Sequence, residues 1–458
     1  MTTDLKDYFK LGLDSTENAG EQPGLINTIR TPVDTQSRQL SRVTFKVPKI
    51  GMLTGDSHIN LRFNTNGAGK HNLNLWNGAI GAISRVRIMI GNKVLTDLEE
   101  PALIETEKLY SNDTATHLVD FERNFLGNDV RFITDKDGNF QISNESNVIL
   151  SKQDNATSAK MIIEGNKCKT YGIPLRKLGA AFLESQSLPV FLLGSREMIL
   201  ELTFNTNCAE YVTLPGSNAS MASNAVEVDL QNVELVSTHV MLDEQTESEQ
   251  IANLRNSPAQ YPLTDTYTIR GVLPAGTNGD SATNLYRLNI QNREVHRVLL
   301  AFKRLKGQTR EFTANQVSDG CGDEELQVKV NGLNMFDRPV SNAATIYQLL
   351  NYYNGGVSLK VPYQVFNGTK YSQADLDFSA GYIEFNHSQH YIGLDFKNGN
   401  AGIQGSGTVM TSALEVDYSN TPNDDSGAGS QAAQHKLLFY VSVSKMLTIA
   451  SNSITVSF

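Results

Sequence analysis

The sequence predicts an all-β protein made of two tandem copies of one antiparallel β-sandwich domain, with short helices in the loops. Three observations carry this prediction. Apolar residues alternate with period two in many short runs, a strand–turn–strand–helix unit occurs twice, and 458 residues exceed one typical domain.

The alternation runs the length of the chain. Val43, Phe45 and Val47 alternate with Thr44 and Lys46, and Ile59, Leu61 and Phe63 repeat the pattern. So do Met198, Leu200, Leu202 and Phe204, then Val226, Val228 and Leu230. Beyond the midpoint come Tyr286, Leu288 and Ile290, then Leu414, Val416 and Tyr418, and last Ile454, Val456 and Phe458. Short period-two runs between Gly/Asn/Ser/Asp clusters mark strands with one face packed and the other in water.

The repeated unit begins with Val86, Ile88 and Ile90, matched by Leu326, Val328 and Val330. A small polar pair follows each run (Gly91-Asn92, Asn331-Gly332), then Leu95 or Met335, then Asp97 or Asp337. The offset is constant, 337 − 97 = 240. Each pair of strands leads into a predicted helix. Pro101 suits a first helical position in "EPALIETEKLYSN". Ser341 suits an N-cap in "SNAATIYQLLNYYNGG", with Ala343, Ile346 and Leu350 as the apolar stripe and Gly355 as the stop. A period of 240 residues is too long for a solenoid and fits a duplicated domain.

The polar, acidic stretch Leu242 to Leu263 lacks alternation and carries Ser257-Pro258 as a breaker. The expected organisation is therefore an N-terminal arm at 1–37, a first domain at 38–242, a linker at 243–262 and a second domain at 263–458.

Little in the chain points to bond chemistry. The net charge of −10 argues against direct nucleic-acid binding, which needs basic surface to displace counterions. Cys168, Cys208 and Cys321 are scattered without C-x-x-C spacing, which fits a reducing compartment better than a disulfide framework or zinc site. No apolar run of about 18 residues occurs to span a membrane, and "MTTDLKDYFK" has no secretory pattern. "DKDGNF" resembles a calcium loop, but aligning Gly138 with the sixth position puts Ile133 and Asn144 where carboxylates belong. The better reading is an Asp-Gly hairpin between "RFIT" and "FQIS". His387 and His390 lie three apart and would point to opposite faces of a strand. The acid runs Glu99-Glu100, Asp323-Glu324-Glu325 and Asp424-Asp425 are adjacent in sequence, which does not place carboxyls across a cleft. No catalytic, cofactor-binding or metal-ligating set is assigned, and no cofactor and no enzyme activity are expected.

Five segments, in order, resemble the double jelly-roll major capsid proteins of icosahedral DNA viruses, the lineage of large algal viruses, virophages and polinton-like viruses. "NGAIGAISRVRIMIGNKVLTDLE" is similar to that family's first-domain strand pair. "YGIPLRKLGAAFLESQSLPVFLLGSREMILELTFN" matches its I-P-L … L-P-L segment through Ile173-Pro174-Leu175 and Leu188-Pro189. "VELVSTHVMLDEQTESEQIA" resembles the domain-closing strand and keeps Leu242-Asp243, with Thr246 and Glu247 in place of a Glu-Arg pair. "YRLNIQNREVHRVLLAFK" resembles the opening of the second domain, with Asn292-Arg293 in place of His-Pro. "KLLFYVSVSKMLTIASNSITVSF" resembles the closing strands. The family's Gly-Ser-x-N-x-S-R-I-D stretch is degraded near Gly405-Ser406.

The resemblance implies two tandem eight-stranded antiparallel jelly rolls. It also implies a homotrimer that forms a pseudo-hexagonal capsomer in a virion shell. The implied partners are neighbouring capsomers and minor capsid and penton proteins, with internal-membrane contact through the N-terminal arm and no direct nucleic-acid binding. Synthesis would take place in the host cytoplasm or a virus factory. A carbohydrate-binding, lectin-like β-sandwich is the alternative, since lectins share this architecture.

Overall fold

Sixteen strands in two sets of eight account for the architecture, together with shorter strands that extend the sheets. The computed structural model describes residues 26–37, 41–66, 71–73, 78–105, 132–134, 140–142, 162–163, 168–183, 187–208, 211–213, 226–276, 280–304, 323–341, 349–350, 352–353, 391–396, 407–421, 434–451 and 453–457.

The first set is β1 (Ile26–Pro32), β2 (Arg42–Val47), β3 (His58–Thr65), β4 (Ile83–Ile90), β5 (Lys93–Glu99), β6 (Cys168–Pro174), β7 (Met198–Phe204) and β8 (Glu234–Val240). Helix α1 (Glu244–Asn253) follows. The second set is β9 (Ala259–Leu273), β10 (Ala282–Leu288), β11 (Glu294–Arg304), β12 (Asp323–Val330), β13 (Leu333–Asn334), β14 (Tyr391–Asp395), β15 (Leu414–Thr421) and β16 (His435–Ile449).

In the first lobe the sheets run β6-β3-β8-β1 and β2-β7-β4-β5, all antiparallel. In the second they run β14-β11-β16-β9 and β10-β15-β12-β13. Adding eight to each label turns the first pair of sheets into the second, so the duplication seen in one hairpin extends to whole domains. Two four-stranded sheets in this order, packed face to face, make a jelly roll. The chain is a double jelly roll.

The predicted alternation becomes burial. β3 and β7 bury every second residue, and Ile59, Leu61, Phe63, Leu200 and Leu202 enter the first core beside Val86 and Ile88. Leu326, Val328, Val416, Tyr418, Phe439 and Val441 do the same in the second core. The two turns differ as their sequences require. Asn331 and Gly332 both have positive φ, +51° and +82°, which an Asn-Gly hairpin turn of the I′ kind demands. In the reversed pair Gly91-Asn92 only Gly91 is left-handed, at +58°. Residues 101–105 are helical after Pro101, as expected, and so are 349, 350, 352 and 353 in the second unit. "RFIT" and "FQIS" pair as the predicted hairpin through Phe132–Thr134 and Phe140–Ile142.

Three expectations need correction. The first sheet begins at Ile26, inside the segment 1–37 read as an arm. β1 pairs along its whole length with β8, but neither of its faces is buried, so its sequence shows no core pattern. The linker 243–262 is not a linker in full. Asp243 caps α1 by accepting from the Thr246 backbone N–H at 2.8 Å, and β9 begins at Ala259. Pro258, read as a breaker, immediately precedes β9, and Pro262 sits within the strand opposite Met446. As an edge strand among the described residues, β9 has no second neighbour there that needs the missing N–H. Finally, the repeat fades after the turn. Leu95 is 1% exposed and Met335 is 36% exposed, because β13 ends after two residues and the chain bulges outward through 335–338 before Val340 rejoins Leu326.

Candidate functional site

The run "LLFYV" at Leu437 to Val441 is apolar on both faces of β16, which is unusual for an antiparallel strand. One face, with Leu437, Phe439 and Val441, fills the second core. The other carries Leu438 and Tyr440, continues across the sheet through Leu299, Ala301 and Tyr391, and is at most 1% exposed. It is covered by the first lobe. The Tyr391 hydroxyl donates to the Leu103 carbonyl at 3.0 Å, and the Tyr440 hydroxyl donates to the Glu100 carbonyl at 2.9 Å.

β9 and β16, each fifteen residues long, reach past their own core. Tyr261, Leu263, Leu447 and Ile449, with Ile454 of the short strand Ile454–Ser457, belong to the first-lobe core. Where the two long strands cross from one core to the other lie Asp265 and Lys445. Lys445 Nζ donates to Asp265 Oδ2 at 2.5 Å and to the Leu95 carbonyl at 2.6 Å, and Thr96 Oγ1 donates to Asp265 Oδ1 at 2.6 Å. Burial raises the Asp265 carboxyl above the usual carboxylate range despite the opposing attraction of Lys445.

A second ionic group closes the seam. Arg270 pairs with Glu99 through both guanidinium hydrogen bonds. Lys436 lies 3.3 Å from Glu99 and 3.5 Å from Glu100, and Lys303 lies 2.9 Å from Glu100. The Glu99 backbone N–H donates to Thr268 Oγ1 at 3.0 Å. Glu100 has φ +48°, a left-handed conformation that costs a non-glycine residue about 1–3 kcal/mol. That turn carries the chain from β5 into the 101–105 helix. Two carboxylates of the first lobe, Glu99 and Glu100, thus pair with three cations of the second, while the second lobe's own Asp265–Lys445 pair is bonded to Thr96 and the Leu95 carbonyl of the first. Their chemistry is orientational: a buried ion pair contributes little net stability, but it strongly penalises any docking that separates its members.

Sequence adjacency had singled out Glu99-Glu100 as an acid pair without a visible partner. The cationic partners lie between 171 residues (270 − 99) and 337 residues (436 − 99) away in sequence, and no local signal marks them. The run of consecutive apolar residues in β16 was the available clue. Sequence reading also missed a duplicated surface ladder. Glu201 on β7 lies 3.6 Å from Arg42 and 3.6 Å from Arg87, and Glu415 on β15 lies 3.0 Å from Arg287 and 3.8 Å from Lys329. Arg87 and Lys329 therefore sit on the water-facing side of equivalent strands. Asp97 likewise faces outward and takes a bidentate pair from Arg85, with both bonds at 2.7 Å.

The other candidates contribute no site. Asp135, Asp137, His387, His390, Cys321 and Asp424-Asp425 lie outside the described residues. Glu324 is buried near the start of β12. Cys168 is exposed on β6 and Cys208 is buried in the first core. Among the described residues no group of three or more His, Cys, Asp or Glu is placed to hold a metal ion, and no helix is long and apolar enough to cross a membrane.

Solved structures that this chain resembles in fold include major capsid proteins of viruses. The chain is similar in fold to the VP54 protein of PBCV-1, in a crystal structure fitted into a cryo-EM reconstruction of the virophage Sputnik. That match has a TM-score of 0.58 and 12% identity, and covers 96% of this chain and 98% of that one. It is similar to the mavirus major capsid protein, with a TM-score of 0.55 and 11% identity over 97% of this chain and 93% of that one. It is also similar to the Faustovirus major capsid protein, with a TM-score of 0.52 and 9% identity over 94% and 92%. No protein-family model and no curated protein sequence matches the chain.

Proposed function

We propose that this protein is the major structural subunit of an icosahedral virus shell and associates in threes to form a pseudo-hexagonal capsomer. The observation that carries the reading is the extent of the fold match. Both jelly rolls, in order, span nearly the full length of this chain and of proteins named as major capsid proteins. The seam supports it, because a tile must hold its two lobes in one orientation under load. Six similar lobes from three chains would fill a hexagonal position with one gene product, which gives the duplication a purpose.

On this reading the partners are other copies of the chain, neighbouring capsomers and minor capsid and penton proteins, and the protein resides in the virion after synthesis in the host cytoplasm or a virus factory. The work is assembly without bond chemistry. The net charge of −10 disfavours direct genome contact. Residues 1–25, ahead of β1, are the arm that reaches neighbouring subunits, minor proteins or an internal membrane. Sedimentation of the purified chain at micromolar concentration, with electron microscopy of the product, tests the reading. The expected result is a trimer with a six-lobed outline, and a stable monomer would refute it. Deleting residues 1–25 is expected to leave the trimer and impair shell assembly.

A further inference from the structure

The two cores are not equivalent. Among the described residues the second-lobe core is self-contained: its buried apolar members run from Leu273 to Val443, and the half-buried residues packed on it belong to the same lobe. The first-lobe core borrows. Its members include Tyr261, Leu263, Leu447, Ile449 and Ile454, none more than 6% exposed, with Ala259 and Val456 packed against it.

The borrowed residues form one wall of that core. β9 lies against β5 and the turn Ala181–Leu183, and the strand Ile454–Ser457 lies against β5. Backbone pairing ties the wall together, with Tyr261 opposite Leu447, Ala259 opposite Ile449, and Ile449 opposite Ile454. Leu95, Phe182 and Leu183 of the first lobe are only 1–3% exposed. Without the wall, these elements lose their cover, and the Leu95 carbonyl and Thr96 hydroxyl lose Lys445 and Asp265. A core left open on one side gives up both apolar burial and close packing.

We infer that the lobe made first folds last: the second lobe closes its own core, and the ends of β9 and β16, with the strand Ile454–Ser457, then complete the first. Domains ordinarily fold from the N-terminus onward as the chain is synthesised. Here the first lobe waits for the final residues. This order follows from the two cores alone. Its consequence for a shell rests on the capsid-subunit reading: only full-length chains enter, because a chain that stops short has no native first lobe to present.

Cys208, fully buried in the first core, reports the closing of that lobe, and a cysteine in place of Val441, fully buried in the second core, reports the other. Two full-length proteins each keep one thiol. Cys168→Ser/Cys321→Ser retains Cys208, and Cys168→Ser/Cys208→Ser/Cys321→Ser/Val441→Cys retains the second reporter. Each is diluted out of urea and pulsed with a thiol reagent at increasing times. The Val441→Cys thiol is expected to lose its reactivity while Cys208 is still fully labelled, and Cys208 to lose its own later. In chains ending at Met446, which keep every member of the second core, Val441→Cys should become protected and Cys208 should stay reactive. Full-length Leu447→Ser/Ile449→Ser should behave in the same way. Three results would overturn the inference and leave the capsid reading standing: Cys208 protected first or in step with Val441→Cys, Cys208 protected in the shortened chain, or Val441→Cys reactive there. A full-length chain that shows the expected order but sediments only as a monomer would overturn the capsid reading and leave the inference standing.

Discussion

Lys445→Met removes the cation at the point where β9 and β16 pass from one core to the other. Asp265, 2% exposed, would keep only the Thr96 hydroxyl at 2.6 Å among its side-chain partners in the seam. The Leu95 carbonyl would lose the donor that now sits at 2.6 Å. Breaking a buried pair by deleting one partner costs about 3–5 kcal/mol, a large share of a domain's roughly 5–15 kcal/mol. Burial already raises the Asp265 carboxyl, and without Lys445 it rises further. The folded variant then binds a proton more tightly than the unfolded chain does. The penalty is therefore fully present at neutral pH and shrinks as pH falls through the folded value toward the ordinary aspartate value of about 3.9. Urea unfolding followed by circular dichroism at pH 7.5 and pH 5 would measure this. The double variant Lys445→Met/Asp265→Leu should recover most of the loss at both pH values, since apolar groups of similar volume replace a buried pair with little change. If the single variant stays within about 1 kcal/mol of wild type, or the double variant is no better than the single, the pair is not the buried contact described here.

Other outcomes follow from burial and exposure. Ile88→Asp and Val328→Asp, at 1% and 0% exposed, should each lose several kcal/mol and abolish soluble protein, whereas Arg87→Ser and Lys329→Ser, which break surface ladders, should change stability by about 1 kcal/mol or less; soluble yield under one protocol compares all four. Ile454→Asp should open the first lobe to limited proteolysis, although it lies near the far end of the sequence, because Ile454 packs in the first-lobe core; cleavage confined to the second lobe would contradict the shared core. His239 is fully buried with Nε2 2.9 Å from Ser237 Oγ, and burial holds its pKa below the ordinary value. Its contribution is complete above the unfolded value of about 6.5 and is lost as pH falls through the folded value, so His239→Gln should flatten the decline in melting temperature between pH 7.5 and pH 5.

The strands of both lobes were legible because a half-buried antiparallel strand writes its burial into the chain with period two. Val43 to Val47, Ile59 to Phe63 and Leu414 to Tyr418 needed no partner to be recognised. The duplication was legible for the same reason, since Ile88 and Val328 meet the same environment in each copy. β1 was invisible because neither of its faces is fully buried, so the strand is held largely by its backbone ladder, and a ladder leaves no side-chain signature. β9 was clipped because the polar run ahead of it, with Ser257-Pro258, hides its first residues, and Pro262 within it is harmless on an edge.

What the sequence determined alone is therefore the repeating unit: which residues alternate, where the turns fall, and that one domain occurs twice. The tertiary structure decided how the two copies meet. Glu99 and Arg270 are 171 residues apart, and Leu95 and Lys445 are 350 apart, and nothing local distinguishes either carboxylate or ammonium from a solvated one. Nor could the sequence say that Leu447, Ile449 and Ile454 pack in the core of the other lobe. An apolar side chain records that it is buried, through its size and spacing. It does not record what buries it, because the hydrophobic effect has no direction.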